Sequence, residues 1–230
     1  MGYFIFDTKS QNLNLDEIHH IKDVLRLKPK EKIQATDGQG NLYNLEIKNL
    51  KPFSVEILNI QNIAKNRIHI NCIITTIKIP LLELVIQKLT EIGVDEIIIT
   101  KTKFAQINLD KIENKINRWQ NIIITACKQS ERAYFPKISI QNLDQIKYTT
   151  NSLNLIGDTQ YNKTQNINNI DLENINTINL LIGPEGGFEQ QEYIKLINTH
   201  KYKAISFASH ILRSETASIV GSGILRNLTL

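Results

Sequence analysis

The sequence predicts an α/β protein in two parts, a short strand-rich region over residues 1–67 and a longer region over 68–230 that alternates strand with helix. Three observations carry this expectation. Short alternating runs broken by an Asp-Gly turn occupy the first part. From Ile68 onward, runs of β-branched residues give way to stripes of helical period. Strand and helix alternate there and no internal repeat is visible, so the second part is read as α/β with a mostly parallel sheet.

In chain order, Asp16–Leu27 carries apolar residues at Ile18, Ile21, Val24 and Leu25 and fits a helix capped by Asp16. Lys32–Thr36 runs into Asp37-Gly38-Gln39-Gly40, a hairpin turn signal, and Leu42–Lys48 and Phe53–Ile60 follow as strands. Several short strands with one helix suggest a small β-barrel, with polar Ala64–Arg67 as the linker. Ile68, Ile70, Cys72, Ile74 and Thr76 alternate and make a long strand. Pro80 then opens a helix with Leu81, Leu82, Val85, Leu89 and Ile92 on one side, ending at Gly93. Glu96–Thr100 is a buried strand, and Asp110–Arg132 is one long helical stretch carrying Ile112, Ile116, Trp119, Ile123 and Cys127. Leu153–Ile156, Ile178–Ile182 and Ala204–Phe207 read as strands, with helices at Glu189–Asn198 and Glu215–Leu228. Asn-rich 162–179 reads as a drifted surface loop.

The chain has 230 residues, of which 41% are hydrophobic and 22% charged, so it is expected to fold rather than stay disordered. Mean hydropathy is −0.22 and no apolar run approaches about 20 residues, so no membrane span is expected. Residues Met1–Ser10 lack a basic n-region and an apolar h-region, which predicts no secretory signal and a cytoplasmic location. Cys72 and Cys127 are too few for a disulfide framework or a four-ligand zinc site, and none of the five histidines has metal-ligand spacing. No metal is expected. The net charge of +4 permits an anionic partner without demanding one. Lysines (21) outnumber arginines (6), so each arginine is informative.

Ligands of open α/β sheets sit at the carboxyl ends of the strands. Two loops stand out there. Ile182-Gly183-Pro184-Glu185-Gly186-Gly187-Phe188 joins a strand to a helix, and its glycines leave open either a tight turn or a backbone cradle for a ligand. It is neither a Walker loop nor a GxGxxG motif. In the second loop, Ser209-His210-Ile211-Leu212-Arg213-Ser214-Glu215-Thr216, Ser214 is placed to cap the last helix. Arg213 stands where the positive end of that helix disfavours a cation, which points to an anion or a substrate oxygen as its partner.

These residues taken together resemble the RsmE family of 16S rRNA uridine N3-methyltransferases, in the SPOUT superfamily. The likeness runs along nearly the whole chain. It covers His20-Ile21-Lys22-Asp23-Val24-Leu25-Arg26, the Asp37-Gly38 turn and Ile86–Val94. It continues through Ala126–Ser130 with Arg132 and Pro136, Gly183–Phe188 and Ile211–Ala217. The chain departs from the family pattern at Met1-Gly2-Tyr3-Phe4, where an Arg is usual, and at Lys103-Phe104-Ala105, in place of Glu-Arg-Ser. It departs again at Phe207-Ala208, in place of Leu-Gly, and at His210, in place of Arg. Lys101 and Lys103 supply positive charge there but no bidentate fork.

The resemblance implies a PUA-like β-barrel at the N-terminus, then a SPOUT α/β domain with a C-terminal trefoil knot. It also implies S-adenosyl-L-methionine as cofactor, 16S rRNA in the small ribosomal subunit as partner, and a homodimer. It places the cofactor against Ile182, Gly183, Pro184, Glu185, Gly186, Gly187, Phe207, Ala208, Ile211, Leu212, Ser214 and Thr216, with Phe207 and Leu212 flanking the adenine. Catalysis falls to Arg213 and Glu215, and RNA binding to His20, Arg26, Lys28 and Arg132. Arg213 stays protonated and cannot be the base. Its expected role is to stabilise charge on the uracil oxygens, with Glu215 orienting and water taking the proton. Two other readings stay open: a non-catalytic rRNA-binding or assembly factor of the same fold, and a ribose 2′-O-methyltransferase.

Overall fold

A computed structural model describes residues 2–157 and 165–230. The chain divides into two compact units. The first takes residues up to Lys65 together with Ile124–Phe135, and the second takes Asn66–Ile123 and Pro136–Leu230.

The first unit is a five-stranded mixed sheet in the order β2-β1-β3-β4-β5, built from β1 (Phe4–Asp7), β2 (Asn12–Leu13), β3 (Lys32–Thr36), β4 (Asn41–Leu50) and β5 (Phe53–Asn62). β1 and β3 run parallel and the other neighbours antiparallel. The two end strands are linked by Asn12 Nδ2, which donates to the Phe53 carbonyl at 3.4 Å. The β3–β4 turn is the expected one: Asp37 Oδ1 accepts from the amides of Gln39 at 2.8 Å and Asn41 at 3.2 Å. Phe4, Phe6, Ile21, Ile33, Leu45 and Ile47 fill the core.

The helix expected over Asp16–Leu27 is shorter and differently capped. Asn14 is its N-cap, accepting from the Glu17 amide at 2.9 Å, and α1 covers only Leu15–His19. His20–Val24 then widens into a π-turn. The extra residue in that turn rotates the side chains that follow, so Ile21 is buried and Leu25 packs inward, while Val24 is 60% exposed. Segment 124–135 is stitched to this unit by Thr36 Oγ1, which donates to the Ala133 carbonyl at 3.0 Å, and by Lys128 Nζ, which donates to Glu17 Oε1 at 2.6 Å.

The second unit is a seven-stranded sheet, parallel throughout, in the order β10-β12-β9-β11-β6-β7-β8. Its strands are β6 (His69–Thr75), β7 (Glu96–Thr100), β8 (Lys137–Ile140), β9 (Ser152–Gly157), β10 (Gln165–Asn166), β11 (Thr177–Ile182) and β12 (Lys203–Ser206). Its helices are α2 (Ile79–Ile92), the first half of α3 (Ile116–Gln129), α4 (Gln190–Asn198) and α5 (Ser214–Leu228). Ile73, Ile98, Ile156 and Leu181 form one cluster with Leu196 of α4, and residues of the alternate register, such as Leu180, meet α5. The long helix expected over Asp110–Arg132 begins as two 3₁₀ turns, Leu109–Lys111 and Glu113–Lys115, before α3. Its apolar stripe is nonetheless buried at Ile112, Trp119, Ile123 and Cys127.

Of the Asn-rich stretch, 162–164 lie outside the described residues. The rest is not simply a surface loop, because β10 pairs with β12 and Ile167 is buried. Two polar devices pin the sheet. Asn71, Asn179 and Asn154 stand opposite one another on β6, β11 and β9. Asn71 Nδ2 donates to Asn179 Oδ1 at 2.8 Å, and Asn179 Nδ2 donates to Asn154 Oδ1 at 2.7 Å. On the last turn of α5, buried Arg226 donates to the Gly93 carbonyl and to Asp95 Oδ2, each at 2.6 Å.

Candidate functional site: a cleft over three strand ends

The row Ile205–Gly157–Ile182 crosses the adjacent strands β12, β9 and β11 in register. Those three residues line a cleft at the carboxyl ends of the strands, where an open parallel sheet leaves room for ligands.

One wall is the loop after β11. Its Gly183–Gly187 segment is a turn in which the Gly187 amide donates to the Pro184 carbonyl at 2.9 Å, with Gly187 at φ +72°. A side chain there is strained, so the turn requires glycine. Gly183 is needed for a different reason: a Cβ on it would stand 2.6 Å from Phe188 Cε2. The loop ends in a reciprocal cap, in which the Glu189 amide donates to Glu192 Oε2 at 3.2 Å, and α4 begins. Segment 101–108 lies against this wall. Gln106 Nε2 donates to Glu185 Oε2 at 3.4 Å, and the Lys103 amide donates to Glu192 Oε1 at 2.7 Å. Phe104 packs beside Gly186 with half its surface exposed.

The other wall is the loop after β12. The sequence places Ser214 as the cap of α5, but Arg213 is the N-cap and makes no capping hydrogen bond. Ser214 is the first helical residue, and its Oγ donates across the cleft to the Gly183 carbonyl at 2.8 Å. One buried hydroxyl therefore ties the two loops together.

The sequence-predicted cofactor residues all line the cleft except Gly186 and Thr216, which are exposed and do not reach it. Gly157, Phe188, Ile205, Ser206, His210 and Ala217 also line it, beyond those expected as cofactor contacts. Gly157 has a readable signal, a glycine ending a buried strand, which marks close approach. The others need the fold. Arg213 is exposed beside the cleft, and Glu215 sits in the first turn of α5 with Oε2 buried and without a hydrogen-bond partner among the described residues. Of the RNA-binding candidates, His20, Arg26 and Lys28 are exposed on the first unit. Arg132 also belongs to the first unit, through segment 124–135.

The cleft encloses about 110 Å³. That is below the roughly 300–1,000 Å³ of small-molecule pockets, so a cofactor-sized ligand enters with one end and lies over the rim with the other. The lining chemistry suits a nucleoside with a cationic tail: apolar Ile182, Phe207 and Leu212, backbone groups of the glycine turn, and the Glu185 carboxylate. Both thiols are unsuited to nucleophilic work, since burial pushes Cys72 up to about 12 and Cys127 up to about 11. Among the described residues no cluster of side chains could hold a metal ion, and no helix is long and apolar enough to cross a membrane.

Residues 64–226 match the model of an RNA methyltransferase domain, and 13–58 match that of an RNA methyltransferase PUA domain. The ribosomal RNA small subunit methyltransferase E of Mesomycoplasma hyopneumoniae is 33% identical, over 95% of this chain and 96% of its own. That of Buchnera aphidicola from Schizaphis graminum is 30% identical, over 94% and 90%. The crystal structure of the Neisseria gonorrhoeae enzyme of the same name, bound to S-adenosyl methionine, superposes with a TM-score of 0.82. It is 25% identical and covers 99% of this chain and 98% of its own.

Proposed function

The chain belongs to the ribosomal RNA small subunit methyltransferase E family, a family of RNA methyltransferases, and from that premise we propose that it methylates N3 of a uridine in 16S rRNA of the small ribosomal subunit, using S-adenosyl-L-methionine. The reading rests above all on the Ser214–Gly183 hydrogen bond, which brings the two loops that stand out in the sequence around one cleft at the strand ends.

In this reading Ile182, Phe207, Ile211 and Leu212 hold the cofactor's nucleoside. The backbone of Gly183, Pro184 and Gly187, with Glu185, Ala208 and Ser214, shapes the rest of its site, while Gly186 and Thr216 stand outside it. When bound, S-adenosylmethionine supplies a methyl group made electrophilic by its sulfonium. Uridine N3 is a weak acid that holds its proton at neutral pH, so that proton must leave before or during transfer. Arg213, exposed at the rim, places its guanidinium against the uracil oxygens and lowers the cost of the negative charge that develops there. Glu215, in the first turn of α5, orients the reacting groups, while water accepts the proton. Arg26, Lys28 and Arg132 neutralise phosphates of the rRNA, and His20 hydrogen-bonds to it. A homodimer and a trefoil knot in the second unit belong to the same proposal.

The test is methyl transfer from labelled S-adenosylmethionine to small subunits lacking the modification, followed by nucleoside mass spectrometry. 3-Methyluridine is expected. A labelled ribose would move the target atom, and binding without transfer would make the chain an rRNA-binding factor. Arg213→Lys should lower kcat by about a hundredfold with the cofactor still bound; normal turnover would remove Arg213 from the mechanism.

A further inference from the structure

The tip of the Phe207 ring is lodged between two glycine backbones. A Cβ on Gly157 would stand 2.8 Å from Phe207 Cε2, and a Cβ on Gly221 would stand 2.8 Å from Cζ and 2.9 Å from Cε1. Real side chains do not approach so closely, so a methyl group at Gly221 must move the ring, and one at Gly157 must move both the ring and Ile182 Cδ1, which is also 2.8 Å away. Gly157 belongs to the floor of the cleft, where β9 ends. Gly221 does not line the cleft at all; it is buried in the interior of α5, a position where glycine weakens a helix. Its presence is accounted for by what it faces, since a Cβ there would also lie 3.1 Å from Leu180 Cδ2. Gly223, two residues on in the same helix, faces open space: a Cβ there meets nothing within 4 Å.

We infer that Gly221 is a positioning residue for the cofactor cleft. Having no side chain, it lets the Phe207 ring sink between β9 and α5, and so holds the ring in the cleft wall rather than in the cleft. A methyl group at 221 drives the ring toward its open side, the cleft it lines. The cleft holds only about 110 Å³, so a displaced aromatic ring takes space that a ligand there needs. Gly221 thus controls the width of the cleft from inside a helix, without touching what binds there. The inference rests on the reading of this cleft as the S-adenosylmethionine site.

The experiment is calorimetric titration of S-adenosylmethionine into the full chain and into Gly221→Ala, Gly223→Ala, Phe207→Leu and the Gly221→Ala/Phe207→Leu double variant. Gly223→Ala makes the same helix-favouring change with no steric consequence and should bind as the parent does. Gly221→Ala should bind about tenfold more weakly, the size of a typical overpacking penalty. A smaller leucine side chain in place of Phe207 should remove the conflict, so the double variant should bind within about threefold of Phe207→Leu alone. Unchanged affinity in Gly221→Ala, or a full loss that persists in the double variant, would overturn the inference. Should the parent chain itself not bind S-adenosylmethionine, the cofactor reading fails separately. A crystal structure of Gly221→Ala then decides the remaining claim, since a Phe207 ring still seated between the two backbones would overturn it.

Discussion

Ser214 is legible in the sequence as a helix cap and does something else in the fold, because a hydroxyl at a helix start has several acceptors within reach. Here the Gly183 carbonyl, brought close by the parallel sheet, takes it. Cys72 and Cys127 are both buried free thiols. Both thiols ionise well above the ordinary value of 9.0 because burial disfavours the thiolate. Their contribution to stability is complete below the unfolded value and is lost as pH rises through the folded values, about 11 for Cys127 and about 12 for Cys72. Ellman's reagent at about pH 8 should therefore leave the native chain unlabelled and titrate both thiols in urea. The urea midpoint should start to fall above about pH 9 as the unfolded chain gives up its thiol protons first.

At the scale of elements, long amphipathic segments are readable and short ones are not. Glu96–Thr100 and the stripe of α2 match their expected positions, because many residues repeat one signal. β1, β2, β8 and β10 have four residues or fewer and give no readable period, whereas β12, equally short, is read from its Ala204–Phe207 run. The π-turn after α1 has no compositional signature; it follows from packing Ile21, Leu25 and Leu27 against one sheet. Single asparagines within strands carry no periodic signal, yet Asn71, Asn179 and Asn154 form a largely buried ladder that works only in one register. Asn179→Ala would strand the part-buried amide donor of Asn71 and leave Asn154 Oδ1 with only the 3.4 Å bond from Ser152 Oγ. It should cost about 2 kcal/mol in urea denaturation, the penalty of one orphaned group and one weakened one. Asn59→Ala, at an exposed position of β5, should by contrast change stability little.

For the molecule as a whole, the four RNA-binding candidates fall in the first unit and the cleft in the second. Lys28→Ala should weaken small-subunit RNA binding and lower the slope of log affinity against log salt by roughly 0.9, if Lys28 neutralises one phosphate. Its affinity for S-adenosylmethionine, read by the same calorimetry, should match that of the parent chain. The sequence by itself determined the two-part α/β organisation, the parallel sheet and the two loops of the cleft. Those are set by local period and by glycine and proline chemistry, which act over a few residues. Only the tertiary structure decided that residues 124–135 join the first unit and that Ser214 bridges to Gly183. It alone seated Phe207 between Gly157 and Gly221. These are contacts between residues far apart in the chain, chosen by which surfaces pack to full density, and packing of that kind leaves no periodic trace in any one segment.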